Sequence, residues 1–175
     1  IKGTAGEVWQ ALTSLDVKPV SFDSVLTGTA QAADIVAIGA ETGLKLLDGS
    51  ALTSISGKAT DVAQALKDLD TDPTKFVWST VTGIHAQASD LNQISAAMSS
   101  TVDVTAATGI DGTATEVLAA INDAEIDLPT NFAATLNGPA SATDIADIRA
   151  ATTGSINGSG VTDINGTAAA VVQAL

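Results

Sequence analysis

Ile110-Asp111-Gly112-Thr113-Ala114-Thr115-Glu116-Val117-Leu118-Ala119-Ala120-Ile121 is one of four versions of the same twelve-residue phrase. Ile1-Lys2-Gly3-Thr4-Ala5-Gly6-Glu7-Val8-Trp9-Gln10-Ala11-Leu12 opens the chain with it. Ile55-Ser56-Gly57-Lys58-Ala59-Thr60-Asp61-Val62-Ala63-Gln64-Ala65-Leu66 is the second version, and Ile164-Asn165-Gly166-Thr167-Ala168-Ala169-Ala170-Val171-Val172-Gln173-Ala174-Leu175 the last. The versions begin at Ile1, Ile55, Ile110 and Ile164, a nearly constant step. A fixed period of this size, here ~54 residues, is the sequence sign of stacked repeats. The units are 1–54, 55–109 and 110–163, with 164–175 as the start of a fourth.

Other positions keep the same register. Phe22, Phe76 and Phe132 form one column, and Gly3, Gly57, Gly112 and Gly166 another. Ile55, Ile110 and Ile164 form a third, each two residues after Thr53, Thr108 or Thr162. Gly28, Gly83 and Gly138 each close a strand-like run. The acidic positions 7, 34, 61, 90, 116 and 144 lie at about half the period, so each unit divides into two modules of ~27 residues.

Within a module, Thr4-Ala5-Gly6-Glu7 and Thr113-Ala114-Thr115-Glu116 read as capping boxes, and Ser141-Ala142-Thr143-Asp144 as a weaker one. Apolar residues follow at helical spacing, as in Val62, Ala65, Leu66 and Leu69. The spacing predicts helices of about 9–12 residues. Phe76 to Val81 and Val25-Leu26-Thr27 read as strands. Asp48-Gly49 and Asn157-Gly158, flanked by apolar runs, predict two-residue hairpins.

The expected fold is therefore α/β: a tandem-repeat solenoid of ~54-residue units, each of two strand–turn–helix half-repeats, with stacked short helices and parallel strand ladders. The Phe column is expected to form a buried ladder, with Phe76→Ala costing roughly 3–5 kcal/mol. The Gly28, Gly83 and Gly138 column is expected to make a tight turn into each helix at positive φ. With hairpins, two strands would accompany each helix, and the array would run nearly straight. No capping unit is visible at either end, so either the chain continues or copies stack head to tail.

Composition narrows the function. Twenty acidic residues against seven basic ones give a net charge of −13, which disfavours nucleic acid. No apolar run approaches the ~18 residues of a membrane span. Cysteine is absent and His85 is the single histidine, which argues against zinc sites and Cys–His dyads. His85 is expected to be a surface or cap residue. No serine sits in a nucleophile elbow and no phosphate-binding glycine loop is present. No enzyme activity is expected.

Asp68-x-Asp70-x-Asp72 is the one candidate for metal. It opens like a calcium loop, but Pro73 stands where glycine is needed and Ser79 where the closing glutamate belongs. A solvated acidic edge is the competing reading, under which Asp70 matters little to stability. The Thr53, Thr108 and Thr162 column offers hydroxyls at a fixed interval, as ice-binding arrays do, although β-propensity alone accounts for threonine there. Asn157-Gly158-Ser159 and Asn165-Gly166-Thr167 match the glycosylation sequon but also suit turns.

The stretch Asp144-Ile145-Ala146-Asp147-Ile148-Arg149-Ala150-Ala151-Thr152-Thr153-Gly154, followed by Val161-Thr162-Asp163-Ile164-Asn165-Gly166-Thr167-Ala168, resembles repeats of very large secreted bacterial surface proteins, adhesin-like and often exported by type I secretion. The resemblance implies an extracellular setting and a structural role in a fibre, sheath, surface layer or long adhesin stalk. Partners would be other copies, by head-to-tail or lateral packing, or a glycan. The Gly-Gly-x-Gly-x-Asp calcium nonapeptides of many such proteins are absent, so calcium dependence does not carry over. The alternative is a ligand-binding face for glycan, calcium or ice.

Overall fold

The computed structural model describes residues 1–73, 78–98 and 100–174, without the side chain of Trp78. The described residues form an α/β structure of seven helices and two sheets in which every strand pair is parallel. One sheet comprises β1 (Lys2–Gly3), β2 (Phe22–Gln31), β3 (Leu44–Gly57), β4 (Trp78–Val81), β6 (Val102–Asp103) and β8 (Ile126–Asp127), in that order. The other runs β10 (Ile156–Asn165), β9 (Ala133–Ser141), β7 (Gly109–Thr113), β5 (His85–Gln87). The helices are α1 (Ala5–Thr13), α2 (Ala32–Gly39), α3 (Ala59–Asp68), α4 (Ala88–Ala97), α5 (Ala114–Asn122), α6 (Ala142–Ala151) and α7 (Ala168–Ala174).

The capping residues start the helices as their chemistry requires. At α1 the Thr4 hydroxyl accepts from the Glu7 amide at 3.3 Å, and a Glu7 carboxylate oxygen accepts from the Thr4 amide at 2.9 Å. Thr113 and Glu116 repeat both distances at α5. Ser141 accepts from Thr143 and Asp144 amides at α6. Each helix is 7 to 10 residues long, slightly shorter than the spacing predicts.

Each helix packs against the next in chain order, and its apolar stripe meets the inward side chains of the strands in one core. Strand partners always lie about one module apart in the chain, from Phe22 with Leu44 to Ala30 with Ile55. Bulges make that separation grow along the strands, each adding one residue to the later strand.

These registers correct the hairpin expectation. The hairpins do not form: Asp48-Gly49 lies inside continuous β3, and Asn157-Gly158 inside continuous β10. Asp48 Oδ1 instead accepts from the Ser50 amide at 2.8 Å, so the turn-forming pair makes a bulge in a parallel strand. The chain has to run the same way past each neighbour to reach the next helix, and a hairpin would reverse it.

The expected Phe ladder is only partly covered by the described residues. The register partner of Phe22 is Leu44, Phe132 is buried beside β9, and Phe76 lies outside the described residues.

The Gly3, Gly57, Gly112 and Gly166 column makes no left-handed turn. Gly3 and Gly112 have no positive φ, and Gly57 and Gly166, at 159°, are close to fully extended. Close packing selects glycine here: a Cβ on Gly57, Gly112 or Gly166 would lie 3.0, 3.2 or 3.0 Å from the Cβ of Ala32, Ala88 or Ala142.

The expected column does have positive φ, at Gly28 (71°), Gly83 (121°) and Gly138 (68°), as does Gly43 (96°); Gly28 and Gly138 lie within β2 and β9. Across from them Thr53 and Thr162 are skipped in the register, so the Gly and Thr columns are two sides of one bulged corner. A Cβ on Gly28 would meet nothing within 4 Å. Gly28→Ala should therefore cost only the backbone term, about 1–2 kcal/mol in urea unfolding.

The inward rows explain why the period spans two modules. One row reads Ala30, Ile55, Ser79, Val102, Ile126, and another Ala86, Ile110, Ala134, Ile156. Ile55 and Ile110 each sit between two small residues. Large beside small lets adjacent strands fill the layer without voids. The second row alternates throughout and so repeats every second module, whereas the first stops alternating at Val102 and Ile126.

Candidate functional site

The three aspartates proposed for metal do not converge. Asp70 Oδ2 accepts from the Leu47 amide at 2.7 Å, and the Asp70 amide donates to the Leu47 carbonyl at 2.9 Å. Asp68 Oδ1 accepts from Gln64 Nε2 at 2.7 Å on its own helix. Asp72 is exposed. No group of three or more metal-ligating side chains occurs among the described residues.

Asp70 has a structural role that its sequence reading as a solvated edge missed. Its carboxylate holds the amide of fully buried Leu47. Asp70→Ala should cost about 1–3 kcal/mol, because that amide loses its acceptor in a partly buried place. Asp70→Asn, which keeps a carbonyl oxygen, should recover much of it in the same urea titration.

Polar ties of this kind recur from end to end. Lys18 pairs with Glu41, and Gln31 Nε2 donates to Ser56 Oγ at 3.1 Å. Asn92 Nδ2 donates to the Glu116 carbonyl at 3.1 Å, and Ser95 Oγ to Asp123 Oδ2 at 2.7 Å. Thr108 Oγ1, a member of the Thr column, donates to the Ile84 carbonyl at 3.0 Å. Each tie joins one strand–helix unit to the next.

His85 is exposed on β5, a surface residue as expected, and it has a partner. Its Nδ1 lies 3.0 and 3.2 Å from the two oxygens of Asp111. The ring covers Gly109, where a Cβ would come within 2.7 Å of it. The imidazole bridges β5 and β7 and bears on no nucleophile in the described contacts. Its partner was legible as the residue preceding the Gly112 column, but nothing in the spacing said which strand would lie beside His85.

A second pattern was readable and overlooked. Asp48, Asp103 and Asn157 recur at the same step as the opening phrase. All three fold back in the same way: Asp103 Oδ1 accepts from the Thr105 amide at 3.0 Å, and Asn157 Oδ1 from the Ser159 amide at 3.0 Å. The Ser50 amide, and then its hydroxyl, hold the Asp48 carboxyl below the usual carboxylate range. Glu7 is lowered likewise by the Thr4 amide and hydroxyl. Asp90 is shifted the other way: burial raises it against the pull of Lys67, and its Oδ2 has no hydrogen bond among the described residues.

Two clefts stand out among the described residues. One of about 450 Å³ is lined by Leu136, Ile145, Arg149, Ile156, Val161 and Ile164. Arg149 there donates from Nη1 to the Gly154 carbonyl at 3.1 Å. The other, about 250 Å³, lies among Ile121, Asp127, Pro129 and Phe132. Neither brings together an acid, a base and a nucleophile. No described helix is long and apolar enough to cross a membrane. What the polar groups do chemically is hold one unit to the next.

No protein-family model, curated protein or solved structure matches the chain.

Proposed function

We propose that this chain is a segment of a tandem-repeat solenoid with a structural or scaffold role in an extracellular bacterial fibre, sheath, surface layer or long adhesin. Its units are 1–54, 55–109, 110–163 and the beginning of another at 164–175. The observation that carries the reading is the constant separation of strand partners, about one module throughout the described chain. A globule brings distant segments together, whereas a stack joins each unit only to its neighbours.

The polar groups support the same role. Asp70, Ser95, Asp123 and Thr108 join adjacent units, so one of the three calcium candidates and one member of the Thr column are engaged between units. With parallel strands in place of hairpins, each helix is accompanied by no more than one strand in each sheet. Strands pack ~4.8 Å apart and helices ~8–10 Å apart, so the array should curve, with helices on the convex side.

Copies of the chain, by head-to-tail or lateral packing, are the partners this role calls for, and a glycan is the second candidate. Electron microscopy of native material labelled with antibody to residues 1–175 tests the role. Labelled extracellular fibres or layers are expected, and label confined to the cell interior would overturn it. Chelation separates the calcium alternative: the scaffold reading expects an unchanged melting temperature, and a sharp drop would favour calcium between units.

A further inference from the structure

We propose that Asn157 is a self-modifying site, converted by its own backbone to aspartate and isoaspartate. Asn157 is exposed on β10, whose strand partner is β9. The register jumps from Asn157–Thr135 to Gly160–Asn137, which lifts Gly158 and Ser159 out of the ladder. The Ser159 amide donates to Asn157 Oδ1 at 3.0 Å. That contact folds the side-chain carboxamide back toward the Gly158 nitrogen. It also aims an N–H at the oxygen that becomes negative when the carbon is attacked, as an oxyanion donor does. A Cβ on Gly158 would touch only Val161 Cγ2, at 3.7 Å, so little packs against Gly158 to hold this bulge in place.

The step balances without a cofactor. Hydroxide removes the Gly158 amide proton, and the nitrogen forms a bond to Asn157 Cγ. The bond from Cγ to the side-chain nitrogen breaks, and ammonia leaves with a proton from water, closing a succinimide. Water then opens the ring at either carbonyl. Opening at the main-chain carbonyl gives isoaspartate, and opening at the side-chain carbonyl gives aspartate.

The structure separates this Asn-Gly pair from the other two. Asn137 is held in the ladder between Thr113 and Gly160, and its Gly138 is fixed at φ 68°. Asn165 uses its amide nitrogen, which donates to Asp163 Oδ2 at 2.9 Å, and no backbone N–H is directed at its side-chain carbonyl among the described contacts. Asp48 and Asp103 already make the Asn157 turn with carboxylates, so the aspartate product fits the fold. The isoaspartate product adds a main-chain atom and should disturb β10.

The test is peptide mapping of the folded chain and of the chain in urea, both incubated at mildly alkaline pH, with isoaspartate detection. In urea the three Asn-Gly pairs should react at similar rates. In the folded chain Asn157 should keep its rate while Asn137 and Asn165 slow several-fold. Gly158→Ala, for which there is room, should suppress the reaction at Asn157 in both conditions. Folding that slows Asn157 as much as the other two would overturn the proposal, as would an unmodified Asn157 in the folded chain.

Discussion

Gly154→Ala should destabilise the chain by about 3 kcal/mol, near the upper end for overpacking. A Cβ there would lie 2.1 Å from the Phe132 carbonyl oxygen, 2.5 Å from its carbon and 2.7 Å from the Asn131 oxygen. All three are backbone atoms and cannot rotate aside. The corner is also tied: Thr152 Oγ1 donates to the Phe132 carbonyl at 2.5 Å, and the Gly154 amide donates back to Thr152 Oγ1 at 3.0 Å. To admit a methyl group, β10 must move away from the start of β9. Urea unfolding should show a lower midpoint with an unchanged slope. Gly158→Ala, further along the same segment in open space, is the control and should stay within about 0.5 kcal/mol. Equal stability of both variants would mean that the corner is not packed as described.

The second large effect is expected at Ile110. It is fully buried and its register partners are Ala86 and Ala134. Ile110→Ala should cost about 4 kcal/mol, because a row of three alanines has no side chain long enough to refill the space. Ala86→Ile alone should overpack and cost about 1–3 kcal/mol. The two together exchange large for small within the same row, so the double variant should be more stable than the sum of the single losses predicts. A strictly additive result would contradict the large-beside-small account of the two-module period.

The helix starts were legible because they are local. Thr4 with Glu7 and Thr113 with Glu116 need only neighbours within one helical turn, and their capping boxes form as read. The apolar stripe of α3 was equally readable: Val62, Ala65 and Leu66 are all buried. The Asp-Gly and Asn-Gly pairs were misread because local chemistry is ambiguous there. The same residues stabilise a hairpin or a bulge, and the direction of the neighbouring strand chooses between them.

Asp70 was misread for a related reason. An exposed acidic edge and a carboxylate that accepts from a partly buried amide have the same sequence. The difference is whether Leu47, one module earlier, lies beside it. The Asp48, Asp103 and Asn157 row could have been found, since it keeps the spacing of every other column.

By itself the sequence determined the helix caps and the apolar stripe of α3, because these follow from contacts a few residues apart. Only the tertiary structure decided which rows meet. It placed Leu44 beside Phe22, alanine beside Ile110 and Asp111 beside His85. The reason is physical: parallel strands separated by a helix can slide past one another by a residue without changing any local preference. Packing of side chains between units, with one bulge at a time, fixes the register.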